Sequence, residues 1–304
     1  MRVKIGASVF GAILACAFFM SGGEAKGDGS ASGGAATVYK NVPPDQIEFL
    51  SSPDRIKAAA AGTMGASAIW ETLEHGETVE CLDCVPLVEN LLYDQNAETR
   101  EIAAWWLRRR VFGVFGSGEV YERTTKRLQS DPDANKRAYA AYALGEFLTL
   151  AGVESLSNAI AQDQSPVVRA AAADALGRLN DDGAGALSKA MVDGDEGVRL
   201  AAVRAASKVS SFTDVPAVSK LIGDSSSAVR QRSVELLGTL HAKDAVGGLL
   251  NVAKNDPNAD VRAAACHTLG LLRDATARPT LEALQASDPN TFVQDQARIA
   301  LRRI

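Results

Sequence analysis

An aspartate followed six residues later by a basic residue recurs about every 32 residues through the C-terminal two-thirds of the chain. The pairs are Asp94 with Arg100, Asp131 with Arg137, Asp163 with Arg169, Asp193 with Arg199, Asp224 with Arg230, and Asp256 with Arg262; Asp288 with Gln294 ends the series. A single globular core does not impose so constant a long spacing, whereas a stack of similar units touching only their neighbours does. The chain is therefore expected to be one quasi-linear array with an N-terminal attachment.

Alignment on the aspartates assigns a job to each column. One residue before the basic position stands Val168, Val198, Val229, Val261 or Val293. Three after it stands alanine or serine, and seven after it leucine or, once, Ala206. Offsets of minus one, three and seven share one face of a helix, which makes this the buried stripe of a second helix in each unit. Apolar stripes upstream of the aspartates, such as Leu87, Val88 and Leu91, mark a first helix. Each unit is thus a helical hairpin. Gly145, Gly177, Gly238 and Gly270 follow the stripe, where a helix C-terminus favours a residue that tolerates positive φ.

With these Asp and Val-Arg columns, the alanines after them, and endings such as Leu176-Gly177 and Leu269-Gly270, the chain resembles HEAT-repeat proteins, in the short bacterial form described as phycobilin-lyase-like. The likeness runs from about Cys84 to Ile304. It implies an all-α, right-handed α-solenoid of about seven hairpins serving as a scaffold for proteins. Some relatives are bilin lyases or, with several His-Glu motifs, metal-dependent hydroxylases.

The charged columns are expected to hold the stack. Each aspartate sits in the turn within a hairpin, where it can accept from free N–H groups of the next helix. Each arginine opens the second helix and can reach the following unit's carboxylate with its planar fork. Gln294 then marks a unit with no successor. As exposed pairs such contacts are worth only about 0–1 kcal/mol each.

The N-terminal third reads differently. Arg2 and Lys4 precede an apolar run from Ile5 to Met20, and Ser21 to Ala25 supply small residues. Residues 1–25 are expected to be a cleaved signal peptide, with lipidation at Cys16 as the competing reading and an uncleaved anchor as a lesser one. The folded part is then exported to the periplasm or cell envelope, where disulfides persist. Residues 26–42, rich in Gly, Ser and Ala, read as a flexible tether. Residues 43–80 carry helical patterns around Ile47 to Leu50, Ile56 and Ile69 to Leu73, without the repeat signature, and are expected to cap the solenoid of residues 81–304.

Cys81 and Cys84 have redox-motif spacing at the start of the first repeat helix. The leading reading is a disulfide that staples the cap to the array. A redox-active pair is the alternative, although no βαβ setting surrounds it. Val85 stands where haem attachment requires His, and zinc would lack a second cysteine pair. Cys266, beside the buried stripe, is a small core residue.

Nothing in the pattern assembles a catalytic site or calls for a cofactor or metal: the three histidines, His75, His241 and His267, fall in different units. With 32 Lys and Arg against 37 Asp and Glu, the acidic balance argues against a nucleic-acid partner. A protein partner is expected instead, with membrane contact only through a lipid on Cys16. The column five residues after the basic position, Trp105, Tyr142, Asp174, Arg204, Glu235 and His267, is mostly polar and is the candidate binding column. Its two aromatics either contact the partner or are covered by the N-terminal cap. The other readings are an enzyme, either a lyase holding a tetrapyrrole-like ligand in the groove or a thiol oxidoreductase using Cys81 and Cys84.

Overall fold

The computed structural model describes Pro43 and residues 52–112, 118–180 and 183–304. The expectations for a signal peptide, a tether, lipidation at Cys16 and a helix around Ile47 to Leu50 lie outside these residues.

Sixteen α-helices and no strand occur among the described residues, and the molecule is an α-solenoid. Two helices come first, α1 (Pro53–Ala60) and α2 (Ala66–His75). Seven hairpins follow: α3 (Val85–Leu91) with α4 (Ala97–Arg108), α5 (Glu119–Ser130) with α6 (Ala134–Glu146), α7 (Gly152–Gln162) with α8 (Pro166–Leu179), and α9 (Ala184–Ala190) with α10 (Glu196–Ala206). The last three are α11 (Val215–Lys220) with α12 (Ser227–Thr239), α13 (Val246–Asn255) with α14 (Ala259–Leu272), and α15 (Arg278–Ser287) with α16 (Thr291–Leu301). First helices pack on first helices and second on second along the array. The pair α1 and α2 stacks in the same way, α1 on α3 and α2 on α4. It is a further hairpin lacking the charged columns.

The columns explain the packing. Val168, Val198, Val229, Val261 and Val293 are fully buried, as are Leu107, Leu144, Leu237 and Leu269 seven residues after the basic position. Between them runs a second buried column of small residues, Ala104, Ala141, Ala173, Val203, Val234 and Cys266. In the last unit the equivalent residue is Arg298, which is exposed and pairs with Asp295 at 2.5 Å. Asp295 replaces the buried Ala138 of the second unit, and Arg302 replaces the glycine column. The face of α16 that carries these residues is therefore polar where the corresponding face of inner units is apolar.

The glycines do not sit at positive φ at the helix ends; that expectation is corrected. Gly145, Gly177, Gly238 and Gly270 are buried inside their helices, and the left-handed residues come three positions later, at Leu148, Asn180, His241 and Arg273. The glycines permit close approach of the next second helix. A Cβ on Gly177 would lie 2.8 Å from the Ala205 Cα, and one on Gly270 would lie 2.7 Å from the Ala300 Cα. These neighbours are backbone atoms and cannot rotate aside. Gly177→Ala is therefore expected to destabilise by about 1–3 kcal/mol, although alanine favours helix by about 1 kcal/mol. Gly185→Ala, with open space around it, supplies the helix-propensity control. Equal gains in melting temperature for both variants would refute the close-contact role.

Candidate functional site

The charged columns form one edge of the array. The Asp163, Asp193, Asp224, Asp256 and Asp288 carboxylates each receive two bonds from the preceding unit's arginine, from Nε and Nη2, at 2.6–2.9 Å. The donors are Arg137, Arg169, Arg199, Arg230 and Arg262. Each donor also gives Nη1 to the carbonyl of its own unit's aspartate, and Gln294 gives Nε2 to the Asp288 carbonyl in the same place.

Two expectations change here. The pairs are not exposed, since the aspartate side chains retain only 3–13% exposure. Nor do the carboxylates cap the second helices. Each accepts from the N–H two residues on; where that residue is Asp195, Asn258 or Asn290 its side chain caps the helix in turn, whereas Ser165 and Ser226 make no such side-chain bond.

The first rung is missing. Arg100 bonds the carbonyls of Asp94 and Gln95, but it does not reach Asp131 and instead lies over the Tyr139 ring at 3.9 Å. Asp131 lies 3.9 Å from Arg127. The spacing from Asp94 to Asp131 is 37 residues rather than 30–32, so the second unit enters in a different register. That joint is held from the first helices, where Arg123 grips the Glu89 carboxylate at 2.6 Å.

The join to α2 depends on residues that carry no repeat signature. Trp106, 1% exposed, donates Nε1–H to the Gly76 carbonyl at 2.9 Å. Arg110 stacks on its ring at 3.6 Å and donates to the Trp106, Glu77 and Val79 carbonyls. Burial, with help from the Arg109 cation, pushes the Arg110 guanidinium down to about 10, and it stays charged at neutral pH. Arg110 thus satisfies carbonyls of the loop that follows α2.

Cys81 and Cys84 are joined in a disulfide. With three residues of sequence separation it closes a small loop before α3, and it does not staple the cap to the array as expected. The Cys84 sulfur touches the Pro53 carbonyl at 3.6 Å; without a proton this is packing, not a hydrogen bond. Cys266 is fully buried, and burial pushes its thiol up to about 12, which makes it unreactive.

The candidate binding column lies on the face built by the second helices, where three shallow depressions run along the array. The first, about 360 Å³, lies between α4, α6 and α8 and includes Arg100, Tyr139, Tyr142 and Arg178. The second, about 450 Å³, includes Arg204 and Glu235; the third, about 280 Å³, includes Glu235, Asp260, His267 and Phe292. Arg204 also bonds Asp174 at 3.2 Å. Tyr142 is half-buried beneath Arg178, and burial raises its hydroxyl pKa against the opposing effect of that cation. Trp105 lines none of the three and is partly buried against the core.

The column reading overlooked Tyr139, one helical turn from Tyr142, and Phe292, two turns before the column position of its own helix. It also overlooked Ile299, the column's own seventh member, which is 38% exposed. Among the described residues no group of three His, Cys, Asp or Glu is placed to hold a metal ion. No described helix is long and apolar enough to cross a membrane.

No curated protein matches the sequence. Among solved structures, the Escherichia coli protein YibA has a TM-score of 0.58 at 18% identity, over 91% of this chain and 100% of that one. Kap121p has a TM-score of 0.59 at 15% identity, over 88% of this chain but only 34% of its own length; its complex with Pho4p gives the same score at 14% identity. At these identities the likeness is one of fold. The family described as HEAT repeats matches residues 121–207, 153–227 and 215–302, which together exceed half of the sequence. With an uninterrupted match over those residues and hairpins stacked by a recurrent Asp–Arg ladder, the chain belongs to the HEAT-repeat family.

Proposed function

We propose that the protein is a non-catalytic scaffold that holds an extended segment of a protein partner along its second-helix face, and that it works in the cell envelope after export. One observation carries the reading. The columns that hold the stack are nearly uniform, while the outward column changes chemistry from Tyr142 to Asp174, Arg204, Glu235 and His267, and all of these but Asp174 line a series of depressions. Uniform columns serve stacking; a surface that differs at each step can read a sequence of side chains. The complex of Kap121p with Pho4p, on a similar fold, supports a protein as the occupant.

The cysteine pair supports a structural role: the bonded sulfurs belong to residues 8% and 0% exposed, and thiol exchange needs access to sulfur. The export reading rests on Arg2, Lys4 and the apolar run after them.

Photo-crosslinkers placed at Tyr142, Glu235 and His267, and at the exposed first-helix residue Asn251 as control, test both parts in intact cells. The expected result is one common adduct from the three face positions, absent from Asn251, in the envelope fraction. Equal capture at Asn251 would overturn the face, and a chain confined to the cytoplasm would overturn the location.

A further inference from the structure

The gap in the ladder leaves one arginine facing the partner surface. In the five complete rungs, Nη1 is anchored to the unit's own aspartate carbonyl while Nε and Nη2 meet a carboxylate. Arg100 keeps the same anchor, at 2.7 Å to the Asp94 carbonyl. Its Nε and Nη2, however, have no hydrogen-bond partner among the described residues, and the side chain lines the first depression. The half of the fork that closes on a carboxylate in every other rung is thus positioned but unused.

Its surroundings suit a peptide side chain. The guanidinium rests on the Tyr139 ring at 3.9 Å, and across the depression Arg178 rests on the Tyr142 ring at 4.2 Å. Arg178 is already paired with the Glu146 carboxylate, whereas Arg100 has no carboxylate partner among the described residues. Tyrosine and arginine are the residue types that dominate binding hot spots, and a planar fork with one end fixed loses little freedom on pairing. Glu101 lines the same depression and repels a second acidic group.

We propose that the depression between Arg100, Tyr139, Tyr142 and Arg178 seats a single acidic side chain of an extended peptide, with Arg100 closing on its carboxylate as its counterparts close on the ladder aspartates. The proposal rests on the reading of the second-helix face as the partner-binding surface. It assigns that face a preferred chemistry at its first three units: one Asp or Glu beside apolar or aromatic residues, not a polyacid.

Panning a displayed library of short random peptides against the full chain tests it, followed by fluorescence anisotropy of a selected peptide. Arg100→Gln is the useful variant, because Gln294 shows that glutamine keeps the bond to the unit's own carbonyl. The wild type is expected to enrich peptides with one Asp or Glu next to an aromatic. Arg100→Gln should weaken the selected peptide at least about tenfold, and the peptide with Asn or Gln in place of its acid should bind the wild type equally weakly. Equal affinity for wild type and Arg100→Gln, or selection of peptides without an acid, would overturn this proposal and leave the scaffold reading standing. Failure to enrich any peptide would overturn both. The peptide-side substitution decides the matter even if Arg100→Gln folds poorly.

Discussion

Replacing Trp106 by alanine is expected to cost about 3–5 kcal/mol and to release α1 and α2 from the array while the later repeats stay folded. The indole is buried, and its removal opens a cavity that the surrounding helices cannot close. It also removes the Nε1–H bond to Gly76 and the ring on which Arg110 rests. Arg110 is itself buried and holds the Glu77 and Val79 carbonyls, so a charge loses its support together with the cavity. No Asp–Arg rung joins these helices to the first repeat; the exposed Arg109–Glu77 pair and the packing of α1 on α3 remain, and neither fills the cavity left by the indole. Hydrogen exchange should show residues 53–84 losing protection, with α6 to α16 near their wild-type values. Trp105→Ala, which removes only a partly buried ring, should cost less. Unchanged protection in α1 and α2, or uniform loss along the whole chain, would contradict the role given to Trp106.

That join shows why some of the molecule was legible in the sequence and some was not. Repetition amplifies a weak signal. One aspartate six residues before an arginine says nothing, but six such pairs and the closing Asp288 with Gln294, at a nearly constant spacing, give the hairpin count, the buried stripe and the ladder. Trp106 and Arg110 occur once and act on backbone carbonyls some thirty residues upstream, and a carbonyl has no residue identity to read. The glycines failed for another reason. A column of glycine near a helix end suits either a left-handed cap or a close contact, and spacing alone does not report φ. Here the helices run on past Gly177 and Gly270, and the contact wins.

The missing rung did leave a trace, in the long spacing before Asp131, but a spacing does not say which residue loses its partner. The binding column was legible as a face because it is polar between buried neighbours. Its depressions were not, since they depend on Tyr139 and Phe292 from adjacent turns and neighbouring units.

The second large effect is expected from Arg230→Gln, which tests the ladder at the joint between the fifth and sixth hairpins. Gln294 is the internal reference, for it fills the same place in the last unit and bonds the Asp288 carbonyl at 2.7 Å. Glutamine at 230 can therefore keep the bond to the Asp224 carbonyl and lose only the two bonds to Asp256. The Asp256 side chain is 4% exposed and is left with a single backbone donor, Asn258. Removing one partner of such a buried pair costs about 3–5 kcal/mol, chiefly because the remaining charge is stranded. Adding Asp256→Asn removes that charge, so the double variant should recover part of the loss.

Acid provides an independent reading. The five rung aspartates all have carboxyl pKa values below the ordinary 3.8. At Asp163 and Asp256 burial is the largest influence and pushes the pKa up, but the arginine and backbone hydrogen bonds together outweigh it. At Asp193, Asp224 and Asp288 the arginine bond itself leads. A carboxyl depressed on folding contributes stability that is fully present above its unfolded pKa and is lost as pH falls through the folded value. The wild type should therefore hold its stability down to about pH 4 and then lose it steeply as all five rungs protonate. Arg230→Gln should lose it less steeply, by one group's share, with amide protection reduced first in α13 and α14. An acid slope equal to that of the wild type, with normal protection at that joint, would show that the arginine column does not bind the stack together.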